Sequence, residues 1–278
     1  MGSGRSREQS LSESVRISNR SGRSPYLLLC DHASNTVPPQ YGTLGLRPSD
    51  LTRHIAWDPG ALPVAARVAS LLDATLVESC VSRLVIDCNR APDAPDLIAT
   101  TSETTRIPGN ADLSPEERAR RIALAWTPFH EAIESVIQER VAEGRETRLV
   151  SVHSFTPVYK GVARPWQIGI LHDEDMRLAE PLIAALRGQD ALTVGANQPY
   201  SPADGVYYPL EHQGRARGLP CAMIEIRNDE IADADAQHRW GDLLGEILSQ
   251  LHLAPDARPM DDRQSGRTGA MTGREDLA

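Results

Sequence analysis

The sequence predicts one α/β domain: a single, mixed, mostly parallel sheet with helices on both faces. Three observations lead there. Short apolar runs of strand length alternate along the chain with longer amphipathic stretches. The 278 residues are 40% hydrophobic, enough for a core, but include only two Phe, so aliphatic side chains must fill it. No repeat or linker-like run interrupts the middle of the chain.

In chain order, residues 1–24 ("MGSGRSREQSLSESVRISNRSG" and its continuation) are polar and rich in Ser, Arg and Gly, and are expected to form a disordered leader. The domain is expected over 25–253, with a second polar, disordered stretch as the tail at 254–278. Within the domain, apolar runs predict strands at 26–30, 74–78, 83–88, 148–152, 167–171 and 222–226. Helical spacing predicts helices at 59–72, 115–141, 175–186 and 235–251. Ser114-Pro115-Glu116-Glu117 marks a helix start: a capping hydroxyl, a preset φ, then acids beside the positive dipole end.

Net charge is −9 and the pI near 5.4, which argues against a generally basic nucleic-acid-binding surface and favours a small-molecule partner. No apolar run is long enough to span a membrane. Cys30, Cys80, Cys88 and Cys221 are scattered with no CxxC pair, as expected of reduced thiols in a cytoplasmic protein. No pattern reveals the oligomeric state. No GxSxG elbow, phosphate loop or dinucleotide fingerprint is present.

The chemistry concentrates where apolar runs end. "LLLCDHASN" drives a strand into Asp31, His32, Ser34 and Asn35, and "RLVSVHSF" does the same at His153. Ligand sites in parallel sheets lie beyond the carboxyl ends of strands, so both imidazoles are expected in one crevice. Neutral imidazole suits Zn²⁺, and a catalytic zinc takes three protein ligands plus water. His32 and His153 are therefore candidate ligands of one divalent metal, expected to be Zn²⁺; the plain alternative is that each caps its strand end.

In "AMIEIRND", alternation places Met223, Glu225 and Arg227 on one face and Ala222, Ile224 and Ile226 on the other. A carboxylate in such a run must be paired or neutralised. Glu225 is read either as an ion-pair partner of Arg227 or as a general base beside the metal. For the third ligand, Asp58 in "HIAWDPGA" is preferred to Asn35, whose neutral amide is a poor zinc ligand, and to His54. Against it stands the fitness of Asp58-Pro59 as a helix cap and first-turn pair.

"SRLVIDCNR" supplies Arg83, Asn89 and Arg90, a set suited to gripping a carboxylate and polarising a carbonyl. Asn35, Arg227 and His212 are further candidates for substrate contact, and Arg106 and Asn110 lie in a Gly/Pro loop that could close over a ligand. His130 is read as mid-helix packing, His172 as part of a helix start, and Cys30 as an inert strand thiol.

The segments "CDHASNTVP", "HIAWDPGA", "SRLVIDCNRAP", "IPGN", "VHSFTP" and "GLPCAMIEIRND", in this order over roughly residues 25–252, resemble the N-formylglutamate amidohydrolase family. The resemblance implies a phosphorylase/hydrolase-like fold akin to zinc carboxypeptidases. It implies metal-dependent hydrolysis of the linear amide of a small acidic N-acyl amino acid. By position it makes His32 and His153 metal ligands, Glu225 the catalytic carboxylate, Asn89 and Arg90 the carboxylate grip, and Arg83 the carbonyl-polarising arginine. Asn35 departs from the pattern, standing where those peptidases carry a metal-binding Glu, and leaves the third ligand open. The rival reading is a non-catalytic binding protein or sensor for an acidic metabolite, using the same arginines without a metal.

Overall fold

A computed structural model of the chain describes residues 14–253; the rest of the expected leader and the tail lie outside the described residues. The chain runs β1 (Val15–Ser18), β2 (Tyr26–Cys30), α1 (Ala61–Leu72), β3 (Thr75–Ser79), β4 (Thr101–Ser102), β5 (Thr105–Arg106), α2 (Pro115–Arg121) and α3 (Thr127–Ala142). It continues through β6 (Arg148–Phe155), β7 (Val158–Tyr159), β8 (Val162–Ala163), β9 (Ile168–Leu171), α4 (Ala179–Arg187), β10 (Val194–Ala196), β11 (Cys221–Arg227) and α5 (Ala234–Gln250).

A seven-stranded sheet has the order β1-β3-β2-β6-β11-β9-β10. Its centre, β3-β2-β6-β11, is parallel; β9 runs antiparallel to β11, and β1 antiparallel to β3. The chain leaves β2 toward β3 on one side and later returns to place β6 on the other. The crevice beyond the carboxyl ends of β2 and β6 is thus the switch point where such sheets bind ligands.

Side-chain alternation divides the core as the sequence predicts. Leu28, Val150, Ala222 and Ile224 face α1, α4 and α5, whereas Leu27, Leu29, Leu149 and Met223 face α3. A third apolar cluster, including Leu84, Val85, Ile86, Leu97 and Ile107, lies under the long segment between β3 and α2. It explains the failure of the strand expected at 83–88. That run is apolar because it is buried in this satellite core, and its backbone forms turns (Val85 N–H to the Ser82 carbonyl, 2.9 Å) without joining the sheet.

Part of the stretch expected to be leader belongs to the fold. Val15–Ser18 is an edge strand, paired residue for residue with Ser79 back to Leu76, and Val15 and Ile17 pack on the α3-side core. The short β10, three residues with a central Gly, was too brief to stand out from its surroundings. The long helix expected at 115–141 is present as α2 and α3, joined by a π-turn over Ile122–Trp126; the Ser114 hydroxyl caps it by accepting from the Glu117 N–H at 3.2 Å. Among the described residues no helix is long and apolar enough to cross a membrane.

Two glycines place the functional residues. Gly60, with φ +80°, caps α1; a Cβ there would lie 2.5 Å from the Ile231 carbonyl oxygen. Gly169 on β9 pairs with Glu225 on β11, and a Cβ there would lie 1.8 Å from the Gln198 carbonyl oxygen. Gly169 therefore lets the 198–200 segment cross the sheet directly beside Glu225. Gly169→Ala is expected to lower the melting temperature and to reduce any activity of the site; an Ala variant with wild-type melting and turnover would contradict this tight crossing.

Candidate active site

The site forms where β2, β6 and β11 meet the loops that follow β2 and β3. His32 directly follows Cys30 and Asp31 at the end of β2, while His153 and Glu225 are register partners within β6 and β11. All three are nearly inaccessible, at 2%, 2% and 4% exposure, and line one cavity of about 250 Å³ with Asp58, Arg83 and Asp87. The three segments expected to converge do so.

The two imidazoles are fixed by carboxylates. His32 Nε2 lies 2.7 Å from Asp87 Oδ1, and His153 Nε2 lies 2.9 Å from Asp31 Oδ1 and 2.9 Å from Ser151 Oγ, which itself donates to Asp31 at 3.0 Å. Their other ring nitrogens share one partner: Asp58 Oδ2 is 2.8 Å from His153 Nδ1 and 3.4 Å from His32 Nδ1. The Ser154 N–H also donates to this oxygen at 3.2 Å. Asp58 is free to do this because Gly60, not Asp58, caps the helix, so the capping reading of Asp58-Pro59 does not hold.

Burial alone would raise the carboxyl pKa values of Asp31 and Asp58, but the neighbouring imidazoles override it and hold both below the usual carboxylate range, Asp58 far below. Burial likewise opposes charge on His153, yet Asp31 and Asp58 keep its pKa well above that of a free imidazole. For His32, burial and Arg83 lower the pKa, and Asp87 and Asp58 together raise it past the ordinary value. Glu225 goes the other way: burial pushes its pKa up to about 7. Among the described residues none donates a hydrogen bond to its carboxylate, and Arg227 instead pairs with Asp229 at 2.8 Å and Glu230 at 2.9 Å. Of the two readings of Glu225, the ion pair with Arg227 is not formed.

This donor set fits a divalent cation. One atom each from Asp31, His32 and His153 lie within 4.8 Å of one another, so this buried group could hold a metal. Asp31 Oδ2 is buried with no hydrogen-bond partner. His32 and His153, facing Asp58 through Nδ1 while carboxylates hold Nε2, form the carboxylate–histidine arrangement that orients imidazoles for metal binding. Of the third-ligand candidates, Asp58 reaches both imidazoles. His54 sits further out on the cavity wall, 3.3 Å from Glu103, and Asn35 is turned away to donate to the Leu51 carbonyl at 2.9 Å.

Arg83 opens onto the cavity while its guanidinium contacts Asp87 at 2.6 Å, His32 Nδ1 at 3.2 Å and Asp58 at 3.5 Å. Asn89 and Arg90 also line the cavity. The Asn89 side-chain amide spends one N–H on the Val206 carbonyl at 2.6 Å and keeps a second, while its Oδ1 has no partner. Arg90 is held by Asp96 at 2.8 Å and by the Gly205 carbonyl at 3.2 Å.

Three expected substrate contacts fall outside the cavity. Asn35 braces the loop after His32, Arg227 is occupied by its two acids, and His212 is exposed, its ring stacked on Tyr208 at 5.3 Å. Asn110 closes over no ligand: it bridges the Leu84 and Ala99 carbonyls, each at 2.8 Å. The cavity adds residues that sequence reasoning missed. Asp87 lines it, and Asp31 lies behind His153; both stand inside the quoted motifs but were given no orienting role. Tyr159 and Tyr200 form part of the wall but lie in loop-like stretches without a periodic signal.

In metal-free protein, stability and pH are linked through Glu225. Its carboxyl, ordinarily near 4.5, titrates near 7 when folded, so between these values the folded state keeps a proton that the unfolded state has released. Raising the pH across this window therefore costs stability, and the loss levels off above it. Chelator-treated Glu225→Gln should gain melting temperature relative to wild type as pH rises from 4.5 to 7 and then keep a constant margin; parallel pH profiles would refute the burial of an unpaired acid.

A sequence model of the N-formylglutamate amidohydrolase family matches residues 24–232. The crystal structure of the gene product Atu2144 of Agrobacterium tumefaciens is 45% identical and superposes with a TM-score of 0.83, covering 87% of this chain and 97% of that one. An N-formylglutamate amidohydrolase from Ralstonia eutropha JMP134 is 18% identical with a TM-score of 0.60, covering 84% and 95% respectively, a likeness of fold. No curated protein matches the sequence.

Proposed function

We propose, on the premise that the chain belongs to the N-formylglutamate amidohydrolase family, that it hydrolyses the amide bond of a small N-acyl amino acid, N-formylglutamate-like, with a divalent metal. One observation carries the reading: two imidazoles anchored by Asp31 and Asp87 face a single carboxylate, Asp58, beside an acid that has no partner.

His32 and His153 would hold the ion with Asp58, or with Asp31 through its unpartnered Oδ2, while Asp87 fixes His32 from behind. When bound, a divalent cation, zinc by the nitrogen-rich donor set, supplies Lewis acidity toward the acyl carbonyl and the attacking water. Glu225 takes a proton from that water as its oxygen bonds to the acyl carbon. The same carboxyl then delivers the proton to the amide nitrogen as the C–N bond breaks, leaving a carboxylic acid and a free amino acid. A pKa near 7 suits a group that must both accept and give a proton near neutrality. Arg83 lends positive charge to the substrate oxygen that becomes anionic, while its acid partners keep the guanidinium in place. Arg90, a second cation in the cavity wall, would meet the amino-acid carboxylate. The four scattered cysteines read as reduced thiols, in keeping with a cytoplasmic location.

The full chain, loaded with zinc, should release formate from N-formyl-L-glutamate or the corresponding acid from a panel of N-acyl amino acids, and chelation should abolish the release. Glu225→Gln should retain bound metal and lose turnover, and Arg83→Ala should lose about 10²–10³ in rate. A fully active Gln variant removes Glu225 from the chemistry.

Metal loading should also be linked to pH. The raised imidazole pKa values mean that the metal-free site holds protons a cation must displace, so affinity should rise with pH. Calorimetric titration with zinc in buffers of different ionisation enthalpy should show proton release; pH-independent affinity would count against His32 and His153 as ligands.

A further inference from the structure

Behind the cavity wall lies a cation that the hydrolytic scheme does not use. Arg164 directly follows β8 and is only 9% exposed, yet among the described residues no carboxylate pairs with it. Its guanidinium carbon lies 4.6 Å from the ring centroids of both Tyr159 and Tyr200 and 5.7 Å from that of Phe155. All three rings line the cavity. A buried charge without an acid is costly, and here aromatic faces offset part of that cost. The remaining polar contact is specific: Arg164 Nη1 donates to the Tyr200 phenolic oxygen at 2.9 Å.

That bond constrains the phenol. A guanidinium has donors and no acceptors, so Tyr200 must accept there, and its own hydrogen must point elsewhere. Among the described residues none receives it. Tyr200 shares the cavity with Glu225 and Arg83, and the 198–200 segment that carries it is seated over Gly169, the register partner of Glu225. Burial, with the Glu225 charge, raises the phenol's pKa, so the hydrogen is present at neutral pH.

We infer that Arg164 is a positioning residue for the hydrolysis, holding the Tyr200 oxygen so that the phenolic hydrogen is presented to the substrate oxygen on which negative charge builds. This rests on the hydrolytic reading of the site. The ring cage explains why the group is an arginine: a planar guanidinium can stack between two rings and still donate in its own plane, which a lysine ammonium cannot.

The test is a double-mutant cycle on the full, zinc-loaded chain, with whichever N-acyl amino acid the wild type cleaves fastest. Tyr200→Phe should lower kcat about tenfold or more with KM within about twofold, as for a donor used only in the transition state. Arg164→Met should also lower kcat, and the double variant should be no slower than Tyr200→Phe alone. If Arg164→Met fails to fold, Arg164→Lys replaces it in the cycle, with a smaller loss that must likewise vanish in the Tyr200→Phe background. Multiplying losses, an unchanged kcat in Tyr200→Phe, or a change in KM alone would overturn the inference while leaving the hydrolase reading intact. A wild type that cleaves no N-acyl amino acid overturns that reading and this inference with it.

Discussion

The Asp58 carboxylate is the group on which the site's geometry turns. It belongs to a loop, whereas His153 and Glu225 belong to the sheet, and His32 stands at the exit of a strand. By reaching His153, His32 and the Ser154 N–H at once, Asp58 fastens a long irregular segment to the rigid central strands. Its freedom comes from the next residues along: Gly60, in a left-handed conformation that packs closely on Ile231, takes over the helix end. A carboxylate released from capping is thereby available to the imidazoles.

The charge balance around it is unusually dense for a buried place. Asp31, Asp58, Asp87 and Glu225 face His32, His153 and Arg83, all nearly shut off from solvent except the arginine. Such a cluster is tolerable only if nearly every charge has an opposite neighbour. The first three acids do, and stay ionised. Glu225 makes no ion pair or hydrogen bond among the described residues, and burial outweighs the nearby charges of His153, His32 and Arg83, so it moves toward neutrality. Four acids a few residues from one another in space thus separate into three that hold charge and one that can exchange a proton. Separation of this kind is what acid–base chemistry requires.

Much of this was legible in the residues. Strand 26–30 was read to its exact ends, and the alternation in "AMIEIRND" correctly put Glu225 on a face away from Ile224. His32, His153, Asp58, Arg83 and Glu225 were named from strand ends, an anomalous acid and spaced motifs, and the fold brings them to one cavity. What failed did so for physical reasons. The 83–88 run satisfies a strand's hydrophobic pattern because satellite cores bury apolar residues as effectively as sheets do. Asn35, Arg227 and His212 have suitable side chains and neighbouring positions, but hydrogen bonds to Leu51, ion pairs to Asp229 and Glu230, and stacking on Tyr208 claim them locally. Asp31 was named without a role, and Asp87 was given none in the site, because a group that only orients another leaves no spacing signature of its own.

The satellite cluster has a consequence for how the molecule behaves as a whole. Arg83 and Asp87 ride on a packet of side chains, Leu84 through Ile107, that is distinct from the two layers gripping the sheet. Such a packet can open on its own, without the central strands coming apart. Half of the cavity is then only as durable as that local unit. A methyl group trimmed from Ile86 or Leu97, touching no polar atom of the site, would loosen the platform beneath Arg83 and Asp87 and blunt its function in a protein that remains folded.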